Sequence, residues 1–305
     1  MSSRITLRVY IVLICVFFKQ VNASVCEQQQ IQLHVLGSGG PELDDGRASS
    51  SYLVLQGGQA RYLLDTGSGA SLRFGESQAE FEHLDAIFLS HLHTDHSADL
   101  PAFVKGAFFT RRSRDLRVFG PGGNERVPAT SEFIQRLFSE SGAFSYLSDY
   151  LVKGEEAFLV SGIDAPLSKA REQRYQLTEN ALAFSLATHH GPIPAVAWKL
   201  DFSGWKIVYA GDMNNKHKRL AGFAKDADLL IVHNAIPEFA GSIAKNLHIT
   251  PSQIAQIAKE SKVKHLLISH FMNRTQFRQQ QLLKTLKASY KGKITVAEDL
   301  MILSL

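Results

Sequence analysis

The hexapeptide His91-Leu92-His93-Thr94-Asp95-His96 packs three imidazoles and a carboxylate into six residues. Imidazole nitrogen and carboxylate oxygen are the ligands that zinc and similar divalent ions accept. The hexapeptide follows the apolar run "LDAIFL" (84–89) and precedes small residues that can start a helix. In a strand-end loop, positions i and i+2 converge on one ion, and Asp95 and His96 turn toward a second. A solvated surface loop has no need of so many ligand types side by side, so their density argues for metal.

Four ligands are too few for two ions, and the rest of the chain supplies more in one recurring context. The run "LAFSLATHH" ends on His189 and His190, "WKIVYAGD" ends on Asp212, and "LLISH" ends on His270. Each apolar strand delivers a ligand-type residue at its C-terminal edge, where sheet-based sites form. Alone, each is as readily a surface histidine or a turn aspartate. Together they have a single physical explanation.

The elements that must position these residues alternate between short β-type runs and helical ones. Strands are expected at "IQLHVLG", on both sides of the turn in "SSYLVLQGGQARYLLDTG", and in "LRVFGPGG", "AVAWKLDF", "ADLLIVHNA" and "VKHLLISHF". Helices are expected at "ATSEFIQRLFSE", at "TPSQIAQIAKES" with Thr250 as cap, and at "RTQFRQQQLLKTLKAS". The stretch "KITVAEDLMILSL" reads as one closing strand, and the irregular residues 131–180 as an insertion covering one side. No repeat, linker or composition shift marks a boundary, which favours one domain.

The motif "HLHTDH", with the later histidine, "GD" and "SH" strand ends, resembles the metallo-β-lactamase-fold hydrolases over nearly the whole stretch from "LGSGGP" to "SHF". The resemblance implies an α/β fold, a four-layer αββα sandwich in a single domain with two divalent metal ions at one edge. It implies that one ion takes His91, His93 and His190, the other Asp95, His96 and His270, with Asp212 bridging. His190 is preferred to His189 because it opens "HGPIPAVAW" and its neighbour on the strand faces the other way. Asp65 in "LLDTG" matches the family's early aspartate, which orients a ligand histidine. Two such ions acidify a shared water and clamp substrate oxygens, and Asp95 can accept a proton while remaining a ligand. Zn2+ suits the donors, as do Mn2+ and Fe.

Further stretches, "GRASSSYLV", "HLHTDHSADLP" and "NLHITPSQIAQIA", resemble the ribonuclease Z-like phosphodiesterase branch. By that likeness His248 is the proton donor to a departing alkoxide. Two features depart from the branch. Its "HE" strand end is His233-Asn234 here, and its glycine- and lysine-rich tRNA-gripping arm is not recognisable in 140–180. Both argue against tRNA 3′ processing and for small phosphodiesters or nucleotides. A lactonase, or another ester or amide hydrolase, is the alternative on the same scaffold. A diiron redox protein is disfavoured because His93 stands where such relatives carry glutamate. A non-catalytic metal-binding relative and a homodimer stay open.

Composition narrows the partners. The start combines a basic, acid-free "MSSRITLR", an apolar "VYIVLICVFF" too short to span a bilayer, and "VNA" ending at Ala23, the order of a secretory signal peptide over residues 1–23. Its removal takes Arg4, Arg8 and Lys19 from 33 basic residues and leaves 30 against 29 acidic ones. Residues 24–305 are then a nearly neutral hydrolase domain, expected in the periplasm or secreted, with no stable membrane span. Cys15 leaves with the leader, so Cys26 has no intramolecular disulfide partner. Only "FFTRRSRDLR" (108–117) is locally basic, read as a solvated loop. Phe108, Phe144 and Tyr146 are candidates either for a substrate pocket or for packing under the insertion.

Overall fold

Adjacent residues of the apolar strands point to opposite faces, and this alternation sets the layers. The computed structural model describes residues 30–168 and 171–305, so the expected leader at 1–23 and Cys26 lie outside the described residues. The first half of the chain runs through β1 (Ile31–Gly37), β2 (Ser51–Gln56), β3 (Gln59–Leu64), α1 (Ala70–Glu76), β4 (Ala86–Phe88), α2 (Thr94–Ser97), α3 (Leu100–Ala107), β5 (Leu116–Pro121), α4 (Thr130–Phe138) and β6 (Val160–Ala165). The second runs through β7 (Gln173–Thr178), β8 (Ala181–Ala187), β9 (Val196–Phe202), β10 (Trp205–Tyr209), α5 (Leu220–Phe223), β11 (Leu229–His233), α6 (Ser242–Leu247), α7 (Pro251–Ser261), β12 (His265–Ser269), α8 (Asn273–Gln276), α9 (Gln279–Ser289), β13 (Lys293–Val296) and β14 (Ile302–Ser304).

The strands form two seven-stranded sheets, ordered β14-β1-β2-β3-β4-β5-β6 and β13-β12-β11-β10-β9-β8-β7. Between the sheets lies a core of Tyr52, Val54, Phe88, Trp198, Tyr209 and Ile231. On the outer face of the first sheet, Leu53, Leu63 and Ile87 meet Phe74 of α1, Phe103 of α3 and Ile134 of α4. On the outer face of the second, Val208, Leu230 and Ile268 meet Phe223 of α5, Ile257 of α7 and Leu286 of α9. Strands with helices on one side and a second sheet on the other are buried on both faces, as in β11 and β12. The result is the expected four-layer αββα sandwich in one domain. No helix of the described residues is long and apolar enough to cross a membrane.

Three expectations are revised by particular contacts. The closing segment is two strands in different sheets: β13 extends the second sheet, and β14 pairs with β1 in the first. The crossing turns on Asp299, whose carboxylate accepts from Ser38 N (3.0 Å), Ser38 Oγ (2.7 Å) and Ala48 N (2.7 Å), with Leu300 following at φ 62°. The helix expected from Arg274 breaks and restarts at Gln279, because its first turn is tied sideways: Asn273 donates N–H to Glu42 and Nδ2–H to Asp44. The basic stretch 108–117 is partly structural. Arg112 is buried, donates to the carbonyls of Phe81, Leu84 and Asp115, and lies over the Phe81 and Phe158 rings. Residues 131–180 supply most of α4, then β6 and β7, the edge strand of each sheet.

One buried histidine at the opposite end of its strand from the His/Asp cluster gives the fold a pH signature. His265, at the start of β12, has Nε2 2.8 Å from Thr295 Oγ1. Burial first, and then Lys293, pushes it down to about 4. Its unfolded value is about 6.5, so the unfolded chain takes up the proton first as pH falls. The stability His265 contributes is whole above about 6.5 and is lost progressively toward pH 4. His265→Gln should therefore lose about 1–2 kcal/mol less than wild type between pH 7 and 5 by urea denaturation. Parallel losses in both proteins would show that His265 is not an acid-sensitive group.

Candidate metal centre

The sequence-predicted residues converge at the ends of β3, β4, β8, β10 and β12. Asp65 follows β3, Ser90 to His93 follow β4, and Asp95 and His96 lie on α2. His190 follows β8, Asp212 follows β10, and His270 follows β12, while His248 joins α6 to α7. Two of these residues take backbone conformations uncommon for a side-chain-bearing residue: Asp65 has φ 57° and His270 φ 54°. Such turns aim a side chain back across the sheet edge, and surrounding contacts must hold them.

Two close approaches require glycine. A Cβ on Gly40 would lie 2.8 Å from His270 Cε1 and 3.2 Å from its Nδ1. Gly211, at φ 60°, lets β10 end against Ser90, whose Cβ would be 2.6 Å from an added Cβ. The first contact seats the loop after β1 on His270. The second brings Asp212 alongside the His91–His96 stretch.

His91, His93 and His190 each offer a ring nitrogen within 4.8 Å of the others. His91 Nδ1 faces Ser90 Oγ at 3.1 Å, and His190 Nδ1 donates to Leu247 O at 2.9 Å, which leaves the Nε2 lone pair of each toward the cluster. A second set brings His96, Asp212, His233 and His270 within the same limit. Asp95 adjoins it, with Oδ2 3.3 Å from His96 Nε2 and 3.2 Å from His270 Nε2. Asp212 touches both sets: its Oδ2 is 3.7 Å from His96 Nε2 and 3.7 Å from His190 Nε2. His248 Nδ1 is 3.7 Å from Asp212 Oδ1, with its ring 5.2 Å from that of His190. His189 points elsewhere, its ring 6.1 Å from that of His217.

Behind the cluster stands Asp65. It accepts from Ser90 N (2.6 Å), Ser90 Oγ (2.7 Å) and the Tyr209 hydroxyl, and its Oδ2 lies 2.6 Å from His96 Nδ1. His96 is thereby fixed with its other nitrogen, Nε2, buried and facing the carboxylates of Asp95 at 3.3 Å and Asp212 at 3.7 Å. A buried imidazole nitrogen held this way could serve as a metal ligand, and the donors of the cluster are of the types that zinc, manganese and iron accept.

The electrostatics agree. Burial alone would raise Asp212, but His270, His248, His233 and His96 outweigh it and hold the carboxyl well below its ordinary range. Burial would likewise raise Asp95, and His96 and His270 hold it down. Burial would lower His96, yet Asp95 and Asp65 raise it well above its usual value. His270 is raised against burial by Asp212 and Asp95. Without metal, protons on these imidazoles balance the carboxylates, and divalent ions would displace them. His91 and His93 are lowered, first by burial, and present neutral nitrogen.

His233 is the residue that the sequence reading did not assign. It ends β11, is buried, and has Nδ1 2.7 Å from Asp212 Oδ1. The strand-end pattern that found Asp212 and His270 extends to it without change. The aromatics offered for a substrate pocket divide: Phe144 packs in the outer core beside Phe138, whereas Phe108 and Tyr146 are exposed around Lys105.

The model of the β-lactamase superfamily domain matches residues 60–271. Among curated proteins, ribonuclease Z of Archaeoglobus fulgidus is 28% identical over 302 residues, covering 87% of this chain and 95% of its own. Ribonuclease Z of Methanosarcina acetivorans is 27% identical over 307 residues, covering 89% and 97%. Among solved structures, the metallo-β-lactamase-fold protein YhfI of Bacillus subtilis superposes with a TM-score of 0.70 at 22% identity, covering 90% of this chain and 99% of its own. The short form of human tRNase Z gives 0.68 at 21%, covering 90% and 98%.

The Asp65 arrangement yields a direct test. Asp65→Asn keeps the volume but removes the charge that turns His96, so divalent-ion affinity should fall about 10–100-fold. Competition against a chelator measures it. Unchanged affinity would separate Asp65 from ion binding.

Proposed function

The chain belongs to the β-lactamase superfamily, and from that membership we propose that it is a dinuclear metal hydrolase of phosphodiesters, acting on small diesters or short nucleotides. One observation carries the reading: Asp212 lies between two ion-sized donor sets, and His248 stands at the same carboxylate. In this reading His91, His93 and His190 hold one ion, Asp95, His96 and His270 the other, and Asp212 is shared. Zn2+ is the proposed metal, and the donor set also accepts Mn2+ or Fe. When bound, two such ions acidify a shared water and draw charge from the phosphoryl oxygens.

The chain's own groups then divide the proton work. Asp95, held as an anion between His96 and His270, accepts a proton at Oδ2. His248 supplies one to the leaving oxygen as the ester bond breaks. Burial first pushes His248 down to about 4, even against the pull of Asp212. Its protonation therefore depends on the negative charge that a phosphodiester brings beside it.

A second reading, RNA cleavage, is favoured by the full-length relatives being ribonuclease Z. Two features support the smaller substrate. Acidic Glu42, Asp44 and Asp45 follow Gly40, whose backbone adjoins His270, and residues 131–180 contribute α4 and the edge strands β6 and β7 to the body of the fold. Export through residues 1–23 and a homodimer are part of the proposal. The leader sequence supports the first. Exposed Leu72, Phe108, Phe109 and Tyr146 support the second.

Metal-loaded protein should hydrolyse bis(p-nitrophenyl) phosphate, and His248→Ala should lower kcat about 10²–10⁴-fold with metal content unchanged. Lactone opening without phosphodiester turnover would move the assignment to the lactonase. Turnover of precursor RNA far above that of small diesters would favour the second reading. N-terminal sequencing of secreted protein should begin at residue 24, and light scattering should give twice the chain mass. Retention of the leader or a single-chain mass would remove those two elements.

A further inference from the structure

Asp212 can serve two ions only if something decides where its oxygens point. A carboxylate at the end of a strand rotates about its last bond, and three of the histidines assigned to the ions have a backing contact of their own. His96 has Asp65, His190 has the Leu247 carbonyl, and His91 has the Ser90 hydroxyl. For Asp212 the corresponding group is His233.

His233 lies within the ligand-sized cluster of His96, Asp212 and His270, so by proximity alone it is a candidate ligand. Its two nitrogens argue otherwise. Nδ1 is 2.7 Å from Asp212 Oδ1, a separation that a nitrogen and a carboxylate oxygen hold only with a proton between them. Nε2 faces the Tyr52 hydroxyl at 3.4 Å. With the proton on Nδ1, the one lone pair left on the neutral ring, at Nε2, faces the Tyr52 hydroxyl. The ring cannot swing away. His270 lies 4.6 Å, Tyr209 5.4 Å and His96 5.7 Å from it, centroid to centroid.

We propose that His233 is the positioning residue of the shared carboxylate: it donates Nδ1–H to Asp212 Oδ1, with its tautomer fixed by Tyr52, and turns Asp212 Oδ2 toward both ion sites. Oδ2 is the oxygen that stands 3.7 Å from one nitrogen of each donor set, His96 Nε2 and His190 Nε2, while Oδ1, which receives the His233 proton, stands 3.6 Å from His270 Nε2. The two sheets meet in this chain of contacts, because Tyr52 lies on β2 and His233 and Asp212 on or after β11 and β10. The assignment rests on the dinuclear reading above.

The test uses full-length protein loaded with Co2+, read by metal count, chelator competition and the paramagnetic coupling between the two ions. His233→Leu removes the donor and should weaken the second equivalent about 10–100-fold and diminish the coupling. His233→Asn presents an amide N–H near the position of Nδ1 and should restore most of both. Tyr52→Phe frees the tautomer and should shift both in the same direction by a smaller factor, which keeps the question open to measurement if His233→Leu does not fold. Equal loss of one ion in the Leu and Asn variants would make His233 a ligand and overturn the proposal. Wild-type affinity and coupling in His233→Leu, or in Tyr52→Phe, would overturn it as well. A wild-type count of one ion would remove the shared carboxylate and with it the dinuclear reading itself. A count of two with either failure above overturns only the role of His233.

Discussion

The site depends on one buried carboxylate that is not part of the ion-facing cluster. Asp65 binds the start of the His91–His96 stretch through Ser90, the key histidine of α2 through His96, and the second sheet through Tyr209. A charged group inside a protein is tolerated only when its hydrogen-bonding capacity is filled, and here the groups that fill it come from two separate strand ends and a helix. The contact that solvates Asp65 is therefore the same contact that registers the two sheets at the catalytic edge. Loss of any one donor would cost both stability and alignment, which is why the left-handed backbone at Asp65 is sustained.

The rest of the edge follows the same logic of backing contacts. Among the histidines assigned to the ions, His91, His96 and His190 each have one nitrogen engaged from behind and the other turned inward. In a medium of low effective dielectric, the carboxylates Asp95 and Asp212 and the imidazoles around them neutralise one another in the absence of metal. The cluster is thus assembled by protein contacts, its carboxylates balanced by the imidazoles around them. Pre-organisation of this kind is what lets a bound ion act without further rearrangement.

Much of this was legible in the sequence because its signals are local. The His91–His96 stretch is contiguous, and His190, Asp212 and His270 each end an apolar strand, so a period-two pattern with a polar terminus was enough to find them. Asp65 and His248 were reached through resemblance, since nothing in their immediate neighbours distinguishes them. His233 shows the limit. Its strand end was visible, but its task depends on β11 lying parallel to β10, with Tyr209 opposite Ile231, a register no local signal states. The split of the closing segment was hidden for a similar reason: it is decided by Ser38 and Ala48, more than 250 residues from Asp299. Arg112 was misread because a guanidinium in a basic run looks solvated until the carbonyls that surround it are known.

The crossing at Asp299 also bears on the order in which the molecule is built. Strand β1 cannot find its second neighbour until Gln32 meets Ser304, a closure spanning nearly the whole described chain. Loop closure on that scale is entropically expensive and slow compared with the hairpin of β2 and β3. The same closure, through Ser38 and Asp299, brings the Gly39–Gly40 backbone against Phe271 and His270. The His270 wall therefore depends on contacts between the two ends of the described chain, whereas the His91–His96 stretch is local in sequence.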